Sequence, residues 1–160
     1  MTEEKINTYT NVIYNIIGAA YDVFKELKYG IAEAVYEEAL CIELAKRGLN
    51  SQEQCDLPIY YKGILMKKKY RMDIVVENDI IIELKAVEEL LPEHRAQLFN
   101  YLRLTNKPIG LLINFGKSVE TEKYQYESAT NKIIVFTNKK MVNNLHQLNI
   151  NKYVTTIDDN

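Results

Sequence analysis

Residues 70–86 read YRMDIVVENDIIIELKA, with two runs of aliphatic residues on either side of the polar triplet at 77–79. Two strand-like runs of side chains around a short polar turn predict two antiparallel strands, residues 69–76 and 80–86, joined as a hairpin. This hairpin decides the fold class, because its register determines which side chains share a face.

The register of the hairpin follows from a three-residue turn. Val76 then faces Ile80, and each further pair lies one residue outward, so Asp73 is expected directly opposite Glu83. Because side chains alternate along a strand, one face should be apolar apart from one phenol. That face carries Tyr70, Met72, Ile74, Val76, Ile80, Ile82, Leu84 and Ala86. The other face gathers the charges and carries Arg71, Asp73, Val75, Ile81, Glu83 and Lys85.

The charged face predicts a chemical site. Two carboxylates opposite one another repel and destabilise a hairpin unless a proton or a cation intervenes. Oxygen ligands of this kind suit Mg²⁺ or Mn²⁺, which retain waters and can bind a phosphate oxygen. Lys85 could position an attacking water or neutralise charge in the transition state. The pattern therefore predicts, in outline, a site for phosphodiester hydrolysis; the alternative is a surface ion pair on a half-exposed strand.

The rest of the chain predicts an α/β sandwich. The remaining predicted elements are helices at 7–28 and 32–47, strands at 52–61 and 64–66, a helix at 92–105, a buried strand at 109–115, minor strands at 124–126 and 133–136, and a short helix at 141–148. Pro58 indicates a sheet edge or a bulge. Hairpin connections and one helical crossover together predict a mixed sheet with helices on both faces. We expect one domain, residues 1–160, with a core at about 11–116 and a C-terminal extension of unknown role at 117–160.

Composition excludes several classes of protein. The 160 residues are 47% hydrophobic and 26% charged, which is typical of a globular chain and not of a disordered one. The apolar runs are far shorter than the roughly 20 residues of a membrane span, and residues 1–7 lack a signal pattern. We therefore expect a cytoplasmic protein that does not associate with a membrane. A net charge of −2 argues against coating nucleic acid through bulk charge. Cys41 and Cys55 lack the spacing of a zinc site and are expected to be small buried hydrophobic residues.

Five sequence blocks resemble a known family. Residues 30–36, GIAEAVY, match the GxxExxY signature of a group of small bacterial and archaeal proteins in the PD-(D/E)xK nuclease superfamily, which has the restriction-endonuclease-like fold. The other blocks follow in order at 57–63, 70–73, 82–87 and 110–116. The resemblance spans about residues 11–116 and implies a core order α-β-β-β-α-β with an extra N-terminal helix. The proline of the superfamily name is absent, since Arg71-Met72 precedes Asp73.

The resemblance implies a role for each matching residue. Asp73 would be the motif aspartate, Glu83 the motif acid and Lys85 the motif lysine. The backbone carbonyl of Leu84 would be a further metal ligand. Glu33, on the second helix, would complete or support the metal site; apart from the resemblance, a solvated helix charge is the preferred interpretation.

A second set of candidates lies outside the hairpin. Gln97 and Tyr101 form a Q-x-x-x-Y pattern also found in a subgroup of these nucleases that acts on DNA ends or single strands, and their spacing places both on one helix face. A polar helix face is the alternative. The weaker substrate-binding candidates are Tyr36, Lys68, Arg71 and His94. We expect Tyr36 to pack between helix and sheet with its hydroxyl near the site, and the basic run at 62–71 to face phosphate or, alternatively, to be a solvated edge.

The sequence therefore predicts a metal-dependent endo- or exonuclease that hydrolyses nucleic-acid phosphodiester bonds, with DNA as the expected substrate and Mg²⁺ or Mn²⁺ as cofactor. The alternative is a non-catalytic module of the same fold that binds nucleic acid or a protein partner. A structural oligomerisation domain, such as a homodimer formed through the amphipathic first helix, is a third interpretation.

Overall fold

The structure is a computed structural model that describes residues 1–137. In chain order its elements are α1 (Glu3–Leu27), α2 (Glu33–Lys46), β1 (Ser51–Tyr61), β2 (Ile64–Val76), β3 (Ile80–Lys85), α3 (Pro92–Thr105), β4 (Ile109–Phe115), β5 (Val119–Glu127) and β6 (Lys132–Val135). The predicted helices and buried strand are confirmed. The predicted helix at 141–148 lies outside the described residues.

The strands form one sheet in the order β1-β2-β3-β4-β5-β6. Strands β3 and β4 are parallel and are connected by α3, whereas the other neighbouring strands are antiparallel. The predicted mixed sheet is therefore confirmed. The two predicted minor strands are β5, which is longer than expected, and β6, so the sheet continues well beyond residue 116.

One predicted boundary between two strands is wrong. The strands expected at 64–66 and 69–76 form the single strand β2, which is 13 residues long. The extra residues are absorbed by a register shift against β1 between Pro58 and Tyr60. A bulge of this kind allows two strands of unequal length to remain paired, and it lies where the proline predicted an edge or bulge.

Two hydrophobic layers enclose the sheet. Helices α1 and α2 cover one face and pack on β3 and β4 through residues such as Ile16, Leu40 and Ile82. Helix α3 covers the other face, where Leu98 and Leu102 are buried. A Cβ atom at Gly110 would lie 2.9 Å from a methyl carbon of Leu102, so glycine permits the close approach of α3 to β4. This contact holds α3 against the strand beside β3.

The central hairpin has the predicted turn but not the full predicted pairing. Val76 pairs with Ile80, and the pairing continues to Ile74 and Ile82, where it ends. Asp73 and Glu83 are therefore not a ladder pair. Strand β2 separates from β3 beyond this point.

The separation also changes the faces. Ile74, Val76, Ile80, Ile82 and Leu84 share the core beneath α1 and α2, as predicted. The prediction is wrong for Tyr70 and Met72, which pack in the opposite core against α3.

None of the helices within residues 1–137 has the length and apolarity needed to span a membrane.

Candidate active site

The end of strand β3 carries a buried acid beside a lysine. Glu83 is 1% exposed, and its Oε1 lies 3.3 Å from Nζ of Lys85. Its other carboxylate oxygen, Oε2, is buried and has no hydrogen-bond partner among the described residues. Burial, assisted by the nearby charge of Asp73, raises the pKa of Glu83 to about 8. A buried oxygen without a partner is costly and indicates that a proton or cation is needed here.

Asp73 lies where β2 separates from β3. Its Oδ2 accepts a hydrogen bond of 2.8 Å from the backbone N–H of Leu84, and so occupies the place of a missing strand contact. Burial raises the pKa of Asp73, although the Leu84 N–H and Lys85 counteract this effect. The Asp73 carboxylate thus lies at the same strand end as Glu83. It is held there by the backbone of Leu84 and not by the predicted direct pairing with Glu83.

The first turns of α2 bring two further acids to this strand end. Desolvation raises the pKa of Glu33, while Lys85 and the backbone N–H of Ala86 counteract the rise. Desolvation and the charge of Asp73 raise the pKa of Glu37 to about 6. The predicted position of Glu33 is therefore next to the hairpin acids. Glu37 was missed by sequence reasoning, although its four-residue spacing from Glu33 places both on one helix face.

Gln97 and Tyr101 connect Lys85 to strand β2. Nζ of Lys85 donates to Oε1 of Gln97 at 3.5 Å, and Nε2 of Gln97 donates to the Tyr101 hydroxyl at 2.7 Å. That hydroxyl in turn donates to the carbonyl oxygen of Arg71 at 2.9 Å. The structure therefore brings both residues of the Q-x-x-x-Y pattern to the site, where they orient Lys85.

His94 and Tyr36 have identifiable structural contacts. Nδ1 of His94 accepts a hydrogen bond of 3.0 Å from the backbone N–H of Leu91 and so caps the start of α3. Tyr36 is fully buried and stacks on Phe115 with ring centroids 4.5 Å apart. The predicted packing of Tyr36 is found, but its predicted contact with substrate is wrong because the ring has no exposed surface.

The hydroxyl of Tyr36 is used within the loop that precedes α2. It donates to the carbonyl oxygen of Lys28 and accepts from the backbone N–H of Ile31 at 3.2 Å. The tyrosine therefore fixes the start of the helix that carries Glu33.

The two basic candidates lie along β2. Arg71 is exposed, and its Nε donates to Asp56 on the neighbouring strand at 2.8 Å. It does not lie across from Lys85 as the hairpin register predicted, because β2 and β3 have separated. Lys68 is exposed farther along the strand.

Asn114 is a supporting residue that sequence reasoning missed. It is fully buried on β4 and pairs with Lys85 across the parallel strands. Its Oδ1 accepts from the backbone N–H of Val87 at 3.0 Å, and its Nδ2 donates to the Val87 carbonyl oxygen at 2.9 Å. The available signal was one amide inside an otherwise apolar run at 109–115. Asn114 fixes the backbone directly after Lys85.

The side chains at the strand end suit a divalent cation. They are oxygen donors, the donor type preferred by Mg²⁺ and Mn²⁺, and the unpartnered Oε2 of Glu83 is available. Within residues 1–137, no three acidic, imidazole or thiol groups are arranged as a complete cation site. Mg²⁺ commonly retains several waters and binds few carboxylates, so an incomplete protein ligand set fits this ion. A separate hollow of about 480 Å³ between α1 and β5 contains none of these residues.

Comparison with known proteins identifies the superfamily. A family model described as PD-(D/E)XK nuclease superfamily matches residues 10–126. The crystal structure of SSO0001 is similar at 23% sequence identity and a TM-score of 0.47, covering 61% of this chain and 53% of that chain. The present chain thus matches about half the length of that protein. No curated protein matches the chain. The family match and the sheet with its flanking helices agree with the predicted restriction-endonuclease-like fold.

Proposed function

The chain belongs to the PD-(D/E)XK nuclease superfamily, and from this we propose that it is a metal-dependent nuclease that hydrolyses DNA phosphodiester bonds. The observation that carries the proposal is the buried, unpartnered Oε2 of Glu83 beside Asp73 and Lys85. An acid in this position is poorly stabilised by the protein alone. A divalent cation would satisfy it and would also attract a phosphate.

The charge balance at the strand end supports this proposal. The carboxylates of Glu33, Glu37, Asp73 and Glu83 all have raised pKa values, and the first cause in each case is desolvation. Mutual repulsion contributes as well, and the Lys85 ammonium offsets only part of it. Such a cluster repels a phosphodiester until positive charge is added, so cation binding and substrate binding should be coupled.

We assign the metal-binding role to Asp73 and Glu83, with the Leu84 carbonyl and Glu33 as further ligands. When bound, Mg²⁺ or Mn²⁺ would supply a Lewis acid and positive charge at the phosphate. Lys85 would hold the attacking water and neutralise charge that develops on the phosphate oxygens.

The neighbouring residues keep Lys85 in place for this role. Gln97 accepts from its ammonium, and Tyr101 fixes the amide of Gln97. Asn114 holds the backbone immediately after the lysine. These residues position the lysine through two separate sets of hydrogen bonds, one to its side chain and one to the backbone beyond it, which is the arrangement that catalysis by orientation requires.

We also infer that the chain belongs to the GxxExxY group. Gly30 has a φ of +95°, a left-handed conformation that favours glycine. Tyr36 ties down the same loop through its hydroxyl, and Glu33 lies between them on the first turn of α2. The three signature residues thus act together to present one acid to the strand end. A nucleic-acid substrate is consistent with a cytoplasmic location.

The decisive experiment is cleavage of single-stranded, duplex, flapped and RNA substrates in Mg²⁺ and in Mn²⁺, with the parent and Lys85→Ala. We expect the parent to cut DNA only with metal and the variant to be inactive. The matched control is Lys46→Ala, which removes a lysine with a 68% exposed side chain on α2. Equal cleavage by the parent and Lys85→Ala would refute the assignment.

Metal binding provides a second readout that does not depend on turnover. Calorimetric titration with Mn²⁺ should show binding to the parent and to Lys85→Ala, and none to Asp73→Asn. Unchanged Mn²⁺ binding in Asp73→Asn would exclude this carboxylate as a ligand.

A further inference from the structure

Strands β1 and β2 continue past the main sheet as a two-stranded hairpin, residues 57–71, which we call the hairpin arm. In the described part of the chain, β2 pairs with β3 only over residues 74–76. Residues 60–69 are all exposed, and the half-buried positions of the arm, 57, 59 and 70, lie nearer its base. At about 3.3 Å per residue, the tip lies roughly 20 Å beyond Tyr70.

The hairpin arm has a strongly positive charge. It contains five cations and no acid, namely Lys62, Lys67, Lys68, Lys69 and Arg71, in a chain whose net charge is −2. Lys69 and Arg71 are paired with Asp56 at the base. Among residues 1–137, no carboxylate forms an ion pair with Lys67 or Lys68, whose charges are available to a polyanion.

The tip of the hairpin arm exposes large apolar side chains. Tyr60 and Tyr61 are 63% and 62% exposed, and their cross-strand partners Leu65 and Ile64 are 59% and 70% exposed. Because successive side chains along a strand point to opposite faces, each face of the tip carries one tyrosine beside one aliphatic residue. Exposed apolar surface of this kind is typical of a binding surface. Nζ of Lys62 lies 5.5 Å from the centroid of the Tyr61 ring, so ring and charge are presented together.

The tip is a two-residue turn. Lys62 and Gly63 have φ angles of +49° and +77°, as in the two-residue turn that matches the natural twist of a hairpin. The tyrosine rings are therefore held apart from the protein body by a defined backbone.

We propose that the hairpin arm binds single-stranded DNA by stacking unpaired bases on Tyr60 and Tyr61 while the lysines neutralise the phosphates. Exposed aromatic rings interleaved with cations are the chemistry that holds single strands without sequence preference. The arm contains no Asn, Gln, Ser or Thr that could read a base edge. This inference rests on the proposed function in one respect: the bound strand would be the one cut.

The base of the hairpin arm reaches the candidate active site. The ring of Tyr70 contacts that of Tyr101 edge-on, with centroids 5.8 Å apart, and the Tyr101 hydroxyl belongs to the hydrogen-bonded chain that ends at Lys85. A strand that lies along the arm is thereby directed toward the carboxylates.

The test measures binding of a labelled 15-residue oligothymidylate by fluorescence anisotropy in EDTA, where no cleavage occurs. The double variant Tyr60→Ala/Tyr61→Ala should bind at least about 5-fold more weakly, and up to about 150-fold more weakly for each stacked base lost. The matched control is Tyr14→Ala/Tyr21→Ala, which removes two exposed tyrosines from α1 and should leave affinity unchanged. Tyr60→Leu/Tyr61→Leu keeps apolar bulk at the tip and should show the same loss as the alanine variant.

Three results would overturn the inference. The first is unchanged affinity in both tip variants, and the second is tighter binding of a matched duplex than of the single strand. The third is a dimer in sedimentation that the tip variants abolish without changing DNA binding. The proposed function fails separately. A parent that binds oligothymidylate through its tip but never cleaves would retain the arm inference and refute the nuclease, whereas cleavage with tip-independent binding would do the reverse.

Discussion

Replacing Glu83 by glutamine should remove a pH dependence of stability that originates at one buried oxygen. Glutamine has nearly the same shape and carries no titratable proton. In the absence of metal, burial holds the pKa of Glu83 at about 8 in the folded protein, against an ordinary value of 4.5. The folded state therefore keeps its proton over a pH range in which the unfolded chain has lost it.

The sign and size follow from this difference. Because the folded pKa is raised, the stabilising contribution is fully present below pH 4.5 and is lost as pH rises toward 8. Each pH unit in that window lowers the free energy of unfolding of the parent by about 1.4 kcal/mol. Over the roughly 3.5 units between the two pKa values, the loss approaches ~5 kcal/mol.

Urea unfolding of the parent and Glu83→Gln at pH 5, 6, 7 and 8, both in EDTA, measures this effect. The free energy of unfolding of Glu83→Gln should exceed that of the parent by an amount that grows with pH, since the contributions of titratable groups common to both proteins largely cancel. Mg²⁺ at pH 8 should stabilise the parent and not the variant. Parallel pH profiles for the two proteins would refute the reasoning, because they would show that Glu83 titrates like an exposed glutamate.

Two further changes test the supporting residues. Tyr101→Phe removes the hydroxyl that accepts from Gln97, so the DNA cleavage rate should fall about 2- to 10-fold while thermal unfolding shows a folded protein. An unchanged cleavage rate would show that this hydroxyl does not help to position Lys85. Asn114→Ala leaves both backbone groups of the half-buried Val87 without their partners, so urea unfolding should show a loss of about 1 to 3 kcal/mol. A loss below about 0.5 kcal/mol would show that other contacts hold the loop.

The sequence was sufficient for the features that depend on local pattern. Helical periodicity predicted α1, α2 and α3 within a few residues of their ends. The polar triplet at 77–79 predicted the turn and the pairing of Val76 with Ile80 correctly. These features follow from side-chain alternation and turn length, both of which act over only a few residues.

The failures arise where strands leave the ideal ladder. Alternation placed Asp73 opposite Glu83, but β2 separates from β3 after Ile74 and the Asp73 carboxylate binds the backbone of Leu84 instead. The same separation moved Tyr70 to the α3 face. Register arguments assume continuous pairing, and an interruption at a site of charge is not visible in a pattern of apolar residues.

The sequence pattern could not predict contacts between residues that are far apart in the chain. Glu37 approaches Asp73 only because α2 begins beside the end of β3, and Asn114 holds Val87 only because β4 is parallel to β3. A helix acid and a lone amide each have many common structural roles. Their function becomes specific once the topology fixes their neighbours.

The two charge clusters of this chain have complementary consequences for substrate binding. The candidate active site gathers the carboxylates of Glu33, Glu37 and Asp73 around the buried Glu83, so without metal it repels phosphate. The hairpin arm, residues 57–71, has five cations and no acid, so it attracts phosphate whether or not metal is present. DNA affinity in EDTA should therefore come from the arm and depend strongly on salt, while added metal should contribute affinity chiefly at the scissile phosphate. A near-neutral chain can in this way bind a polyanion locally, and the net charge of −2 does not argue against a nucleic-acid substrate.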